Sequence, residues 1–281
     1  MRVLVTGAGG QLGREVAERW TALGDDVIAV PRQRLDVSSR DDVLGAVTSV
    51  RPDVLVNCAA WTAVDACEGD ADRAFAANAL AVRWCREACD LTGTHLVQIS
   101  TDYVFDGHLG RPYHEWDPPC PTSVYGASKL GGEREAGPGA TVVRTSWVCG
   151  FHGDNMVKTV LRLSAERESL AFVDDQIGSP TFTPDLADMI RVLAADRRSG
   201  VHHVTNTGVV SWYRFVRDIV AAAGRDPDMV HPIATADLDP PRPAPRPPNS
   251  ALDNAAIRLA GLPPMRHYRT ALDELVARLS V

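Results

Sequence analysis

No apolar run in the 281 residues approaches the ~20 needed to cross a membrane. Positive charge is in short supply. Lys and Arg number 29 against 36 Asp and Glu, giving a net charge of -7 and a pI near 5.6. That balance gives no reason to expect nucleic acid or an anionic membrane surface as a partner. A signal-peptide pattern is missing too, because Val3-Leu4-Val5 runs straight into Thr6-Gly7. Cysteine is sparse and scattered over Cys58, Cys67, Cys85, Cys89, Cys120 and Cys149. Cys85 and Cys89 lie four apart with no second pair of ligands, and His202-His203 has no third, so no metal site is expected. Six unpaired thiols point to a reducing, cytoplasmic setting. There is no internal repeat. What remains is an ordinary globular composition, 45% hydrophobic and 23% charged, long enough for one large domain or two modest ones.

The first motif is a strand, a glycine turn and a helix. Arg2–Thr6 reads as strand, Gly7-Ala8-Gly9-Gly10-Gln11-Leu12-Gly13 follows, and Leu12, Val16, Trp20 and Leu23 then recur at nearly helical period. The turn needs glycine for tight geometry, and the helix N-terminus offers free amides to a pyrophosphate, so Gly7-x-x-Gly10-x-x-Gly13 reads as a dinucleotide loop. A second strand, Val27–Val30, is followed by Pro31-Arg32-Gln33-Arg34 where a ribose-binding acid is usual. Arg32 welcomes a 2′-phosphate, which favours NADPH over NADH; two solvated loop arginines are the other reading. Asp36, beside Val37, is placed to contact adenine. After the strand Asp53–Asn57, the small residues of Cys58-Ala59-Ala60-Trp61-Thr62 let backbone approach a cofactor. Val64–Glu68 reads as a turn into one long helix, Ala71–Thr92, containing Asn78.

The chemistry concentrates between residues 100 and 129. The run His95–Ile99 reads as a buried strand that delivers Ser100 and Thr101 at its C-terminal end, the edge where parallel sheets hold ligands. Tyr125 and Lys129 lie four apart in a helix expected over Gly126–Glu135, on one face. A neighbouring ammonium favours the phenolate, so Lys129 is expected to lower the pKa of Tyr125 for acid–base work, with Thr101 holding a carbonyl beside it. A half-buried Tyr with a snorkelling Lys is the alternative. Further on, Trp147 either floors a pocket or packs a core. Helices are expected over Asn155–Ala165, Pro184–Ala195, Ser211–Ala223 (Ser211 as N-cap) and Thr270–Leu279. The proline-dense stretch Asp237–Asn249 is either a linker or a rigid loop that aims Arg242 and Arg246 at a phosphate. Strand–helix alternation up to about residue 150 predicts an α/β fold, a doubly wound parallel sheet of Rossmann type over residues 1–150. A smaller α/β substrate-binding region, 151–281, is expected to follow, with the chain crossing between the two.

These residues resemble the extended short-chain dehydrogenase/reductases that act on nucleotide sugars, and more closely the dTDP-4-dehydrorhamnose reductase family. The match covers the glycine loop, Ala59–Asp65, Ser100-Thr101-Asp102-Tyr103-Val104-Phe105-Asp106-Gly107, Tyr125–Lys129, Arg144-Thr145-Ser146-Trp147-Val148, Asp175–Thr181 and Arg246-Pro247-Pro248-Asn249-Ser250. The resemblance implies NADPH or NADH reduction of a dTDP-4-keto-6-deoxysugar, with Tyr125 donating the proton. It places Gly10, Gln11 and Leu12 at the pyrophosphate, Asp36 and Val37 at adenine, and Ala60, Trp61 and Thr62 along ribose and nicotinamide. Lys129 would orient the nicotinamide ribose; Thr101, Asp102, Trp147, Gln176 and Arg246 would hold the substrate. A homodimer is compatible with the resemblance, but a bridging metal is not carried over. Pro31-Arg32 departs from relatives that carry an acid there. The rivals are a 4-ketoreductase for another deoxysugar, an epimerase or dehydratase retaining NAD, and a non-catalytic nucleotide-binding regulatory subunit.

Overall fold

The computed structural model describes residues 1–280. Strands β1 (Arg2–Thr6), β2 (Asp26–Val30), β3 (Val54–Asn57), β4 (His95–Thr101) and β5 (Thr141–Thr145) join a late strand, β10 (Gly200–His203), in one sheet. Its order is β10-β5-β4-β3-β1-β2, and every pairing is parallel. The strands are nearly continuous apolar runs because such a sheet is covered on both faces. Alternation divides them between two cores. Val3, Val5, Val56, Val97 and Val143 pack with Leu12, Trp20 and Ile190 on one face. Leu4, Leu55, Leu96 and Val142 pack with Val43, Val82 and Cys85 on the other. The winding direction reverses between β1 and β3, so the crevice for a ligand opens above their C-terminal ends.

Helices α1 (Gln11–Ala22) and α2 (Arg40–Val50) follow the first two strands. The stretch after β3 differs from the expectation of a turn and one uniform helix. Val64–Gly69 is itself helical (α3), and the following helix is α4 (Ala71–Phe75), a π-turn over Ala76–Leu80, then α5 (Ala81–Thr92). The π-turn has a tertiary cause. Asn78 is buried and hydrogen-bonds the Trp61 backbone at both N and O (2.8 and 3.1 Å) and the Ser128 hydroxyl (3.0 Å). α6 (Val124–Ala136) carries Tyr125 and Lys129, and its start is fixed by Ser123, whose hydroxyl accepts from the Gly126 amide at 3.1 Å.

Short strands β6 (Val148–Cys149), β7 (Leu170–Val173), β8 (Ile177–Gly178) and β9 (Thr181–Phe182) flank α7 (Met156–Glu166). With α8 (Thr183–Ala195) and β10 the chain returns to the main sheet: α8 packs on α1, and β10 pairs with β5. The remaining elements are β11 (Val210–Ser211), α9 (Trp212–Ala222), β12 (Val230–Ile233), α10 (Ala255–Leu259) and α11 (Tyr268–Leu279). Helices α7, α9 and α11 share a separate apolar core around Phe215, Ile219 and Leu272. No described helix is long and apolar enough to cross a membrane.

Candidate active site

The glycine loop is built for close approach. Gly7 has φ +65°, and a Cβ there would lie 2.6 Å from the Ala59 amide nitrogen; one on Gly13 would lie 2.8 Å from Ala8 Cα. Gly10 donates its amide to the Gly7 carbonyl at 2.9 Å and leads into α1, whose N-terminus has no side-chain cap. The first-turn amides are therefore open to an anion. A cavity of about 260 Å³ runs from this loop past Arg32, Asp36 and Val37 to Ala59, Ala60 and Trp61. Arg73, not singled out in the sequence, stacks its guanidinium on the Trp61 ring at 4.3 Å and lines the same cavity.

A second cavity, of about 620 Å³, shares Gly10, Cys58, Ala59 and Ala60 with the first. It brings together Gln11, Leu12, Thr62, Thr101, Asp102, Tyr125, Lys129 and Trp147. Thr101 ends β4 and donates its hydroxyl to Asp102 Oδ1 at 3.0 Å, while Asp102 Oδ2 is buried without a hydrogen-bond partner. Burial pushes the Asp102 carboxyl up to about 6, against the pull of neighbouring hydroxyls. Lys129 is buried and donates to the Ile99 carbonyl at 2.6 Å. Burial brings its ammonium down to about 8, and the Glu133 carboxylate opposes that fall. The expected lowering of the Tyr125 pKa is not what the structure shows. Burial raises it, the Thr101 hydroxyl eases it down only in part, and Lys129 donates to the Ile99 carbonyl rather than to the phenol. Cys58 lines both cavities, and burial holds its thiol at about 12, un-ionised.

Trp147 lines the pocket and packs against the core of α7, α9 and α11 as well. Its φ of 45° is unusual for a bulky residue, and its ring stacks on Trp212 with centroids 3.6 Å apart and planes 9° from parallel. Gly178 makes room for it, since a Cβ there would lie 2.6 Å from Trp147 Cζ2. Two expected substrate residues do not line this cavity. The Gln176 amide donates to Thr235 Oγ1 at 2.9 Å. Arg246 is paired with Asp65 (Nη2 to Oδ2, 2.8 Å) and donates to the Ala244 carbonyl, because a half-buried guanidinium requires a counter-charge. Sequence reasoning missed Trp212 and Glu133. Tyr125, Lys129 and Glu133 form an i, i+4, i+8 stripe on α6, which is the signal that could have found the latter.

Over residues 1–281 the chain matches the family described as RmlD substrate binding domain. It is 44% identical to a dTDP-4-dehydrorhamnose reductase of Streptomyces griseus, covering 97% of this chain and 92% of that protein. It is 42% identical to a probable dTDP-4,6-dihydroxy-2-methyloxan-3-one 4-ketoreductase of Streptomyces antibioticus, covering 98% and 94%. A solved dTDP-4-dehydrorhamnose reductase from Bacillus anthracis, in complex with NADP, superposes with a TM-score of 0.94 at 38% identity over 99% of both chains. The doubly wound sheet, the glycine cradle and this likeness agree: the chain belongs to the dTDP-4-dehydrorhamnose reductase family, oxidoreductases of the extended short-chain type.

Proposed function

We propose that the chain reduces the C4 ketone of dTDP-4-dehydro-6-deoxy-L-mannose (dTDP-4-dehydrorhamnose) to give dTDP-L-rhamnose, with NADPH as reductant. The observation that carries this reading is the convergence of Thr101, Tyr125 and Lys129 in a cavity continuous with the glycine groove. The residues fit a dinucleotide, because Gly7 and Gly13 let the loop pack tightly on the backbone of Ala59 and Ala8, and the uncapped start of α1 at Gly10, Gln11 and Leu12 lines the cavity. Gly7, Gly10, Gln11 and Leu12 would meet the pyrophosphate, Asp36 and Val37 the adenine, and Ala59, Ala60, Trp61 and Thr62 the nicotinamide ribose. Arg32 has no carboxylate partner among the described residues and would take the 2′-phosphate. On this reading residues 1–150 serve mainly the cofactor and 151–281 mainly the sugar nucleotide.

Bound there, the reduced nicotinamide supplies a hydride. The protein's own part is the proton. Burial keeps the Tyr125 phenol un-ionised, the state required to donate to a forming alkoxide. The Thr101 hydroxyl would orient the phenol and the sugar oxygen, and Lys129 would hold the nicotinamide ribose. Trp147, stacked on Trp212, offers an apolar wall to a sugar face. Absorbance of the reduced nicotinamide tests the reading, using dTDP-4-keto-6-deoxyhexose with and without prior epimerisation. Oxidation is expected only with the epimerised sugar. Tyr125→Phe should retain cofactor binding and lose roughly 10²–10⁴ in turnover; an active variant would remove the mechanism. Arg32→Ala should weaken NADPH more than NADH. A second reading, a 4-ketoreductase for another deoxysugar, draws on the 42% identity to the Streptomyces antibioticus protein, and oxidation with the unepimerised sugar would favour it.

A further inference from the structure

Two buried polar atoms that line the catalytic cavity have no hydrogen-bond partner among the described residues: Asp102 Oδ2 and Thr145 Oγ1. The first belongs to the proton-handling end already described. The second is unexplained, since a buried hydroxyl left unpaired costs about 1–3 kcal/mol and persists where a ligand satisfies it. Thr145 is 5% exposed and ends β5, in register with Thr101 of β4. Strand alternation places it on the face of Val143, whose cluster contains Leu12 with Ile99, Cys58 and Val148 against it. Tyr125 and Lys129 arrive from the opposite face, on α6, whose Ala136 packs with Val142. On the Val143 face the in-register Thr101 hydroxyl is already engaged with Asp102 and the Tyr103 amide, which leaves Thr145 as the hydroxyl still free beside the apolar side chains of this wall.

That wall discriminates between the two ligands the cavity must hold. A sugar carries polar groups around its ring and needs several partners. A nicotinamide is a flat apolar ring with one carboxamide, which both donates and accepts, as a threonine hydroxyl does. We infer that Thr145 is a positioning residue for the nicotinamide: its hydroxyl takes the carboxamide and so fixes which face of the ring turns toward the sugar. The inference rests on reading the cavity as an NADPH-dependent reductase site. Without the anchor the ring is free to turn about its bond to ribose and present either face.

The test compares the parent with Thr145→Val, which keeps the shape, and Thr145→Ser, which keeps the hydroxyl. Calorimetry measures Kd for NADPH and for 2′-phospho-ADP-ribose, which lacks the nicotinamide. Thr145→Val should weaken NADPH about five- to tenfold, leave 2′-phospho-ADP-ribose unchanged, and melt no lower than the parent, having lost an unpaired buried hydroxyl. Thr145→Ser should restore NADPH affinity. With NADPH deuterated at one face of C4, the parent should transfer from a single face and Thr145→Val from both. Unchanged NADPH affinity in Thr145→Val, or equal weakening of both ligands, overturns the inference. A parent that binds NADPH but reduces no dTDP-sugar sinks the proposed substrate, while the Kd comparison still decides Thr145. A parent that binds no NADPH sinks both.

Discussion

Replacing Glu133 with Gln perturbs the interior and Lys129 together. Glu133 stands one helical turn beyond Lys129 and accepts from Arg144 Nε at 2.9 Å, Arg144 Nη2 at 2.7 Å and Ser100 Oγ at 2.5 Å. Both side chains of the ion pair are almost fully buried, at 4% and 6% exposed. The guanidinium also lies over the Phe105 ring at 5.1 Å and beside His203, which burial and the Arg144 charge bring down to about 3. Glutamine leaves that guanidinium buried without a counter-charge. Breaking one half of a buried pair costs ~3–5 kcal/mol; because the amide keeps part of the hydrogen bonding, a loss of about 3 kcal/mol is expected. That corresponds to a fall of roughly 5 °C in Tm. Lys129 responds as well. Its folded pKa of about 8 lies below its unfolded 10.5, so the folded state binds fewer protons between those values and stability rises with pH across that window. Losing Glu133 removes the charge that held the ammonium up, so the rise should begin below pH 8. Urea unfolding of the parent, Glu133→Gln and Glu133→Gln/Arg144→Met at pH 7 and 9 measures both effects. The double variant should recover most of the loss, since no charge is left unpaired. A single variant within about 1 kcal/mol of the parent, or a double variant no more stable than the single, would refute the reasoning.

Asp102→Asn probes the other buried charge. The carboxyl rises from 3.8 to about 6 on folding, so its contribution is fully present below the lower value and lost as pH climbs through the upper, about 3 kcal/mol in all. The stability of the Asn variant relative to the parent should therefore grow between about pH 4 and 6 and level off above that, and a flat difference would count against the orphaned oxygen. Gly178→Ala should displace Trp147 from its stack, weakening sugar-nucleotide binding and shifting tryptophan emission while sparing NADPH; unchanged emission would mean the ring does not depend on that space. Iodoacetamide at neutral pH should label exposed Cys120 and leave Cys58, whose thiol is un-ionised; rapid alkylation of Cys58, read by peptide mass, would overturn that.

What could be read from the sequence was local. Strand, glycine turn and helix lie within the first 22 residues, and the chemistry of each part is carried by its own residues. Thr101 at a strand end and Tyr125 four before Lys129 are likewise short-range patterns, and the cavity joins them. Failures began where a distant partner decides the local form. The uniform helix expected over Ala71–Thr92 carries a π-turn because Asn78 answers to Trp61 and Ser128, and no periodicity within the helix encodes that demand. His202-His203 reads as strand, but which sheet it joins depends on β5, some sixty residues earlier in the chain. The stack of Trp147 on Trp212 needs Gly178 as well, three positions from separate elements, one of them in a left-handed conformation rare for tryptophan.

Charge shows the same limit. Arg32 and Arg246 look alike in the sequence, each a cation beside proline in a loop suited to meet a phosphate. In the fold they differ. Arg246 is paired with Asp65, with Arg242 also within 3.9 Å of that carboxylate, so a diphosphate arriving there competes with an acid already seated. Arg32 and Arg73 have no carboxylate partner among the described residues and both line the cavity beside the glycine loop. A guanidinium without a counter-ion is the better anion site, because no existing pair must be broken to use it. Arg242 and Arg246 share the one Asp65 carboxylate and keep a net positive charge, whereas the guanidiniums with no carboxylate beside them, Arg32 and Arg73, lie along the glycine-loop cavity. That asymmetry favours a cofactor with an added phosphate, and it arises from one aspartate, Asp65, in a short helix that the sequence presented as a turn.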